Sequence, residues 1–406
     1  MNGSQSFQPI RRRLDFPLVD HNYPDEWYEL EFAKLFVEIW NTVHLAFSPE
    51  DSHHAPTMSP WLRSYSKEFI KYVELVAHPD ARSGKWEKLL RDRDERSNLL
   101  EAVIFKILDT HIFSQLLFGA DPKHAETLQN ADTALIATDG FSRSKLRSHT
   151  TKNWLQTSNG IPPRFWEEVD KLCVQTLTML LPVYGYTSMF TGYEPISIEQ
   201  LYQKLHNLIA LAGWLSVTIR MSPAIFSFSW AKPGELFSMN QVNRCQSAYK
   251  ASMEVAQRYH TRLMKEKPNS KPMKSAARIK ISVFPEIVRH RPVPKVMNNE
   301  GVTSYKILEP HVLYYQGLQL EHDEERAFIS LPDYIKKLED RNIPRYAALA
   351  IMGIVFTLLW VYFTTSGQQT WHSIQQWMKS GLEHIMRPRP ESTPVQEQKP
   401  EPWIRY

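Results

Sequence analysis

Residues 346–365 read YAALAIMGIVFTLLWVYFTT, a run of 20 residues without a charged side chain. As an α-helix, this run spans about 30 Å, the hydrocarbon thickness of a bilayer. Tyr346 opens the run, and Trp360, Tyr362 and Thr365 lie near its other end, where aromatic rings favour the headgroup level. The run therefore predicts one C-terminal transmembrane helix, and the alternative is a buried core helix of a soluble domain.

The charges that flank this run predict its orientation. Basic residues precede it within 20 positions: Arg326, Lys336, Lys337, Arg341 and Arg345. Only Lys379 follows it within the same distance. Basic flanks stay cytoplasmic, and the N-terminal residues lack the apolar stretch of a signal peptide. We therefore expect an integral, single-pass membrane protein with a cytosolic N-terminal part and a lumenal or exterior tail, and an endomembrane is favoured.

Residues 366–386, beyond the run, predict an amphipathic helix. Its apolar side chains recur at helical spacing: Trp371, Ile374, Trp377, Leu382 and Ile385. Such a helix lies on a membrane surface with its tryptophans at the interface. The alternative is a continuation of the membrane helix. Residues 387–406 are rich in proline and are expected to be disordered.

Residues 25–265, before the run, show mainly the apolar periodicity of helices. They follow a segment, 1–24, that is expected to be a flexible arm. Within the helical part, residues 207–219 read NLIALAGWLSVTI, which is nearly all apolar but too short to span a bilayer. This segment predicts a buried core helix. The expected architecture is thus mainly α, with a helical-bundle-like cytosolic domain.

The pattern changes in residues 266–330, which are basic and contain prolines. Alternating stretches at 278–284 and 303–308 predict a small β element, and a proline-punctuated linker is the alternative. The basic side chains of 265–295 are expected either to touch anionic lipid headgroups or to be merely solvated. Residues 331–345 then predict a juxtamembrane helix that leads into the apolar run.

Known catalytic motifs are absent from the sequence. It contains no phosphate-binding P-loop, no GxGxxG after a strand, no GxSxG elbow, no HExxH and no kinase signature. Two cysteines, Cys173 and Cys245, cannot form a cysteine-rich zinc site, so no metal or cofactor is predicted. The near balance of 48 basic and 44 acidic residues does not favour nucleic-acid binding.

Two functional hypotheses remain from the sequence. The leading one is a membrane-anchored binding or scaffold module for an unidentified protein partner. The alternative is a membrane-tethered enzyme that acts on a lipid or another apolar substrate within the helical domain. For the enzyme, the candidate polar groups are Asp109, His111 and Arg147. Asp109 and His111 attract attention because polar groups in an otherwise apolar helix need partners.

Two stretches carry a resemblance to a known family. They are LLEAVIFKILDTHIFSQLLFGAD (99–121) and ALIATDGFSRSKLRSHTTKNWL (134–155). Both resemble a family of uncharacterised proteins of filamentous ascomycete fungi, which also end with one membrane span after a long helical region. The resemblance implies a fungal origin and a C-terminal anchor, and it implies no activity and no site residues.

Overall fold

The computed structural model describes residues 7–16, 23–49, 56–78, 86–136, 139–190, 192–266, 276–293, 301–317 and 328–385. The chain divides into two compact units, Met1–Leu338 and Glu339–Tyr406.

The first unit is mostly helical, as the periodicity predicted. Its helices are α1 (Asp25–Phe47), α2 (Lys67–Val76), α3 (Trp86–Arg91), α4 (Arg93–Leu108), α5 (Pro122–Ala134), α6 (Gly140–Leu155), α7 (Phe165–Thr187), α8 (Ile198–Met221) and α9 (Gln246–Glu266). Side chains cap several N-termini by accepting hydrogen bonds from first-turn N–H groups, as Asp139 does for α6. Ser197 and Gln200 form a reciprocal capping box at the start of α8.

Two three-stranded sheets complete the first unit. The strands are β1 (Ile225–Ser229), β2 (Val242–Asn243), β3 (Ala277–Phe284), β4 (Glu286–Pro292), β5 (Val302–Leu308) and β6 (His311–Gln316). One sheet has the order β1-β4-β5 and is antiparallel throughout. The other has the order β2-β6-β3, in which β2 runs parallel to β6 and β3 runs antiparallel to it.

These sheets correct the predicted fold class, in which a helical bundle carried at most a small β element. Ile281, Val283 and Ile287 are fully buried and join the same core cluster as the helices. The strands are therefore part of the main core rather than an appendage. Strand β1 was missed altogether because the five residues IFSFS directly follow a long helical pattern and are too short to outweigh it.

Helix α8 confirms the prediction of a buried core helix over 207–219. Leu208, Leu211 and Leu215 are all 3% exposed or less. Around this helix, α1, α6 and α7 supply the neighbouring surfaces. Burial on all sides suits a segment whose apolar residues occupy every face.

The N-terminal residues 7–16 lie against the helices, although they belong to the stretch predicted as a flexible arm. The Ile10 backbone N–H donates to Gln203 Oε1 at 2.8 Å, and Trp214 Nε1 donates to the Asp15 carbonyl at 2.8 Å. Phe16 packs against the core. The polar composition of this stretch gave no sign of these contacts, since backbone groups have no signature in the sequence.

The last two helices are α10 (Leu331–Phe363) and α11 (Thr365–Ile385). Among the described residues, no single helix is long and apolar enough to cross a membrane. One pair passes that test together, Ala350–Phe363 with Thr365–Gln376, and it is bent by 102°. The prediction of one transmembrane helix over 346–365 is therefore wrong. The first member of this pair, Ala350–Phe363, has a length of only about 21 Å at 1.5 Å per residue.

The bend between these helices has a local cause. Thr364 lies between α10 and α11, and its hydroxyl accepts from the Gly367 backbone N–H at 3.0 Å. A Cβ on Gly367 would lie 2.7 Å from Val361 Cα, so this close approach requires glycine. Beyond α11, the tail predicted to be disordered, 387–406, lies outside the described residues.

Candidate functional site

A cavity of about 220 Å³ lies between α6, α8 and β1, and we call it the arginine cavity. Its polar side chains are Ser144, Arg147 and Thr151 of α6, Arg220 of α8, and Ser222. Its apolar side includes Leu116, Ile219, Ile225 and Phe226. The site thus combines two guanidinium groups with hydroxyl groups and an apolar wall.

The placement of the two arginines follows from the local sequence. Arg220 comes directly after the buried apolar segment of α8, so the helix carries it to the edge of the core. Arg143 and Arg147 are four residues apart on α6 and share one helix face. Only Arg147 of this pair lines the cavity.

Arg220 is largely enclosed at the end of α8. Its Nη2 donates to the Phe113 carbonyl, while its Nε is buried without a hydrogen-bond partner. Within the described part of the chain, no carboxylate lies at ion-pair distance from it. Burial and the neighbouring Arg147 lower the pKa of Arg220 to about 10, and the negative charge of Asp132 offsets part of this effect. The group still carries its charge at neutral pH.

Arg147 is only partly neutralised. Its Nη1 lies 3.5 Å from Asp132 Oδ1 on α5, and Arg143 Nε lies 3.6 Å from the same oxygen. Two guanidinium groups therefore share one carboxylate, and Arg220 adds a third positive charge nearby. This surplus of positive charge, held at the edge of the apolar core, is suited to bind an anion.

A second cavity, of about 370 Å³, contains His111, and we call it the histidine cleft. Gln115, Glu168 and Lys171 also line it. A single π-helical turn, Asp109–Phe113, continues α4 here. The extra residue in such a turn shifts the helix phase, and π-turns are frequent at functional sites.

His111 Nε2 lies 2.9 Å from the Tyr72 hydroxyl. Burial, with Lys171 nearby, lowers the pKa of His111. A neutral imidazole beside a tyrosine hydroxyl can exchange a proton, although Tyr72 is not among the residues that line the cleft.

Asp109 has a structural role instead. Its Oδ2 accepts from Lys106 Nζ at 2.9 Å and from Trp230 Nε1 at 2.8 Å. Lys106 Nζ also lies 4.4 Å from the centre of the Trp230 ring. The three candidates from the sequence therefore lie at three places: Asp109 in this contact, His111 in the histidine cleft and Arg147 in the arginine cavity.

The described part of the basic stretch 265–295 contains internal ion pairs. Lys280 Nζ lies 2.7 Å from Glu95 Oε2, and both side chains are almost fully buried. Arg289 Nη1 lies 2.8 Å from Asp25 Oδ1 and is fully buried. These two cations are not available to the lipid headgroups that the sequence suggested as partners.

The residues predicted at the membrane lie in α10 and α11. Lys336 and Lys337 are exposed on α10, as are Trp360 and Tyr362 near its end. On α11, Trp371 and Ile374 are exposed. The side chains of Arg341, Arg345, Tyr346, Trp377, Leu382 and Ile385 lie outside the described part of the structure.

Sequence reasoning missed Arg220, which directly follows the apolar segment 207–219. Its position in the sequence could have indicated the site. A charged side chain at the end of a buried helix needs either a partner of opposite charge or a cavity. Comparisons with protein-family models, curated proteins and solved structures found no match. The fungal resemblance therefore stays a prediction, and function is argued from geometry alone.

Proposed function

We propose that the protein is a binding module whose ligand is a small anion held in the arginine cavity. One observation carries the proposal: Arg220 is largely enclosed and charged, and no carboxylate in the described residues pairs with it. A desolvated charge without a counterion is unfavourable by several kcal/mol, on the order of the cost per ion in buried pairs. A bound anion removes this cost, which favours occupancy of the cavity.

The same geometry supports binding over catalysis. The described lining of the arginine cavity contains no carboxylate, imidazole or thiol that would act as a general acid, base or nucleophile. The enzyme hypothesis needed Asp109, His111 and Arg147 to converge on one substrate. Asp109 instead pairs with Lys106 and Trp230, and the other two line separate cavities.

Equilibrium dialysis of the full-length protein in a non-ionic detergent, with labelled inorganic phosphate, tests the proposal. We expect one phosphate per chain, and at least about tenfold weaker binding in Arg147→Gln, since a hydrogen bond to a charged group contributes about 1.5–3 kcal/mol. Arg143→Gln is the matched control, because Arg143 contacts the same Asp132 but does not line the cavity. Equal loss in both variants, or no binding to the wild type, contradicts the proposal.

We further propose that the bent helix pair attaches the protein to a membrane. Its first helix exposes apolar side chains in succession, including Ile351 at 61%, Phe356 at 68% and Phe363 at 75%. A helix that is apolar all round suits lipid better than a one-sided protein groove. The amphipathic sequence of α11, with Trp371 and Ile374 exposed, suits the membrane interface.

Flotation of the full-length protein with phosphatidylcholine vesicles tests this attachment. Phe356→Glu places a charge on the apolar helix and should reduce the floated fraction severalfold. Val174→Glu is the matched control, since Val174 is also exposed, at 53%, but lies on α7 of the first unit. If both variants float like the wild type, or if the wild type does not float, the attachment is disproved.

A further inference from the structure

The arginine cavity holds more positive charge than a monoanion would balance. Arg147 and Arg220 line the cavity, and the Asp132 carboxylate beside Arg147 is shared with Arg143, so it offsets the charge of the two cavity arginines only in part. We propose that the occupant is a phosphomonoester, a phosphate group joined to a small organic moiety. This inference rests on the proposed anion binding and names the chemical class of the anion.

A further guanidinium group lies behind Ser222. Arg289 Nη2 is 3.5 Å from the Ser222 hydroxyl, and Arg289 and Arg291 both contact the Asp25 carboxylate. Because Ser222 also lines the cavity, it connects this group of charged side chains to the cavity wall. A phosphomonoester carries about −1.5 to −2 charges at pH 7, which matches the two arginines of the cavity better than the single charge of a carboxylate does.

The arrangement of donors also favours phosphate. Arg147 and Arg220 approach from two different helices, and each guanidinium presents a planar fork that binds two oxygens. Ser144 and Thr151 add hydroxyl groups on the same face of α6 as Arg147, and the Ser144 hydroxyl also donates to the Ala224 carbonyl at 3.3 Å. Three terminal phosphate oxygens can use donors from several directions, whereas the two oxygens of one carboxylate are satisfied by a single fork.

The remaining lining explains why the phosphate should carry an organic moiety. Ile225 and Phe226 of β1, with Leu116 and Ile219, give the cavity an apolar wall. Inorganic phosphate alone would leave this wall facing water. The cavity of about 220 Å³ exceeds the share of several waters, at about 30 Å³ each, so a short carbon chain fits beside the phosphate.

Calorimetric titration of the full-length protein in a non-ionic detergent distinguishes the ligand classes. The probes are glycerol 3-phosphate, inorganic phosphate, sulfate and succinate. We expect glycerol 3-phosphate to bind tightest, at least about tenfold more tightly than succinate, since one lost charge-assisted hydrogen bond corresponds to roughly that factor. Arg147→Gln and Arg220→Lys should each weaken it by about tenfold or more, whereas Arg143→Gln should not.

The pH dependence gives a readout that a merely structural change would not reproduce. The second ionisation of a phosphomonoester has a pKa of about 6, so the dianion falls about tenfold between pH 7 and pH 5. The affinity for glycerol 3-phosphate should fall by about that factor over this range. Sulfate stays a dianion throughout, so its affinity should change far less.

A flotation experiment with vesicles distinguishes a phosphomonoester in a lipid headgroup from a soluble one. Greater flotation with phosphatidic acid than with phosphatidylcholine, abolished by Arg147→Gln, supports a lipid headgroup. Tight binding of glycerol 3-phosphate without this preference supports a soluble ester. If inorganic phosphate binds but glycerol 3-phosphate is no tighter than succinate, the phosphomonoester inference fails while anion binding stands. If no probe binds, both proposals fail.

Discussion

Two helical segments of nearly the same composition have opposite surroundings. Residues 207–219 of α8 and residues 350–363 of α10 are both apolar and free of acidic or basic side chains. In the first, Leu215 is fully buried, and in the second, Leu358 is 61% exposed. Apolar composition alone therefore does not determine whether a helix is buried by the rest of the protein or exposed.

The glycine of each segment shows the difference at atomic scale. A Cβ on Gly213 would lie 2.8 Å from Phe118 Cε1 and 2.9 Å from Phe165 Cε2. A Cβ on Gly353 would meet no atom within 4 Å. In α8, glycine allows two aromatic rings to approach the helix, whereas the glycine of α10 has no such neighbour among the described residues. Close packing is thus what separates the core segment from the exposed one.

The largest expected effect comes from removing a buried side chain. Leu215→Ala leaves a cavity in the core and should lower the free energy of unfolding by about 2–5 kcal/mol. Leu358→Ala, the matched substitution in the exposed segment, should change it by less than about 0.5 kcal/mol. Urea denaturation of the full-length protein in a non-ionic detergent, followed by tryptophan fluorescence, measures both. Similar losses in the two variants would mean that the exposed segment packs within the protein after all.

Substitution of the two glycines should change stability by less than Leu215→Ala does, and the two changes should have opposite signs. Gly213→Ala forces Phe118 and Phe165 to move and should lower the free energy of unfolding by about 1–3 kcal/mol. Gly353→Ala meets no neighbour and should stabilise its helix by about 0.5–1 kcal/mol through helix propensity. Denaturation measures the first variant, and far-UV circular dichroism of the second reports helix content. A gain in stability from Gly213→Ala would contradict the tight packing around α8.

The sequence was informative where a pattern is local and repeated. Helical periodicity located the helical part and identified 207–219 as a core helix, because both depend on the order of apolar residues alone. The sheets were underestimated since the pairing of β1 with β4 joins residues about 60 positions apart. The transmembrane prediction failed at Thr364 and Gly367, where a close backbone approach bends the chain. The apolar composition of the run does not indicate that contact.

The candidate site was predictable in part only. Arg147 was named from the sequence, but its relation to Arg220 depends on how α6 and α8 pack against each other, and no spacing in the sequence encodes that. Asp109 and His111 were named because they interrupt an apolar helix. Their different environments agree with their spacing, since residues two positions apart project from different sides of a helix.

The smallest effect on stability is expected at Arg220, where the buried segment of α8 ends. Arg220→Met loses the hydrogen bond to the Phe113 carbonyl but also removes a desolvated charge that lacks a carboxylate partner. These two terms oppose each other, so the free energy of unfolding without phosphate should change by less than about 1 kcal/mol.

The same variant should lose the response to ligand. Phosphate at ten times its dissociation constant should stabilise the wild type by about 1.4 kcal/mol and leave Arg220→Met unchanged. Denaturation with and without inorganic phosphate measures both quantities. If Arg220→Met lowers the free energy of unfolding by about 3 kcal/mol or more without phosphate, the role of Arg220 is in packing, as that of Leu215 is. A near-neutral substitution that abolishes the phosphate response would mean that the charge at the end of this apolar segment is maintained for its ligand.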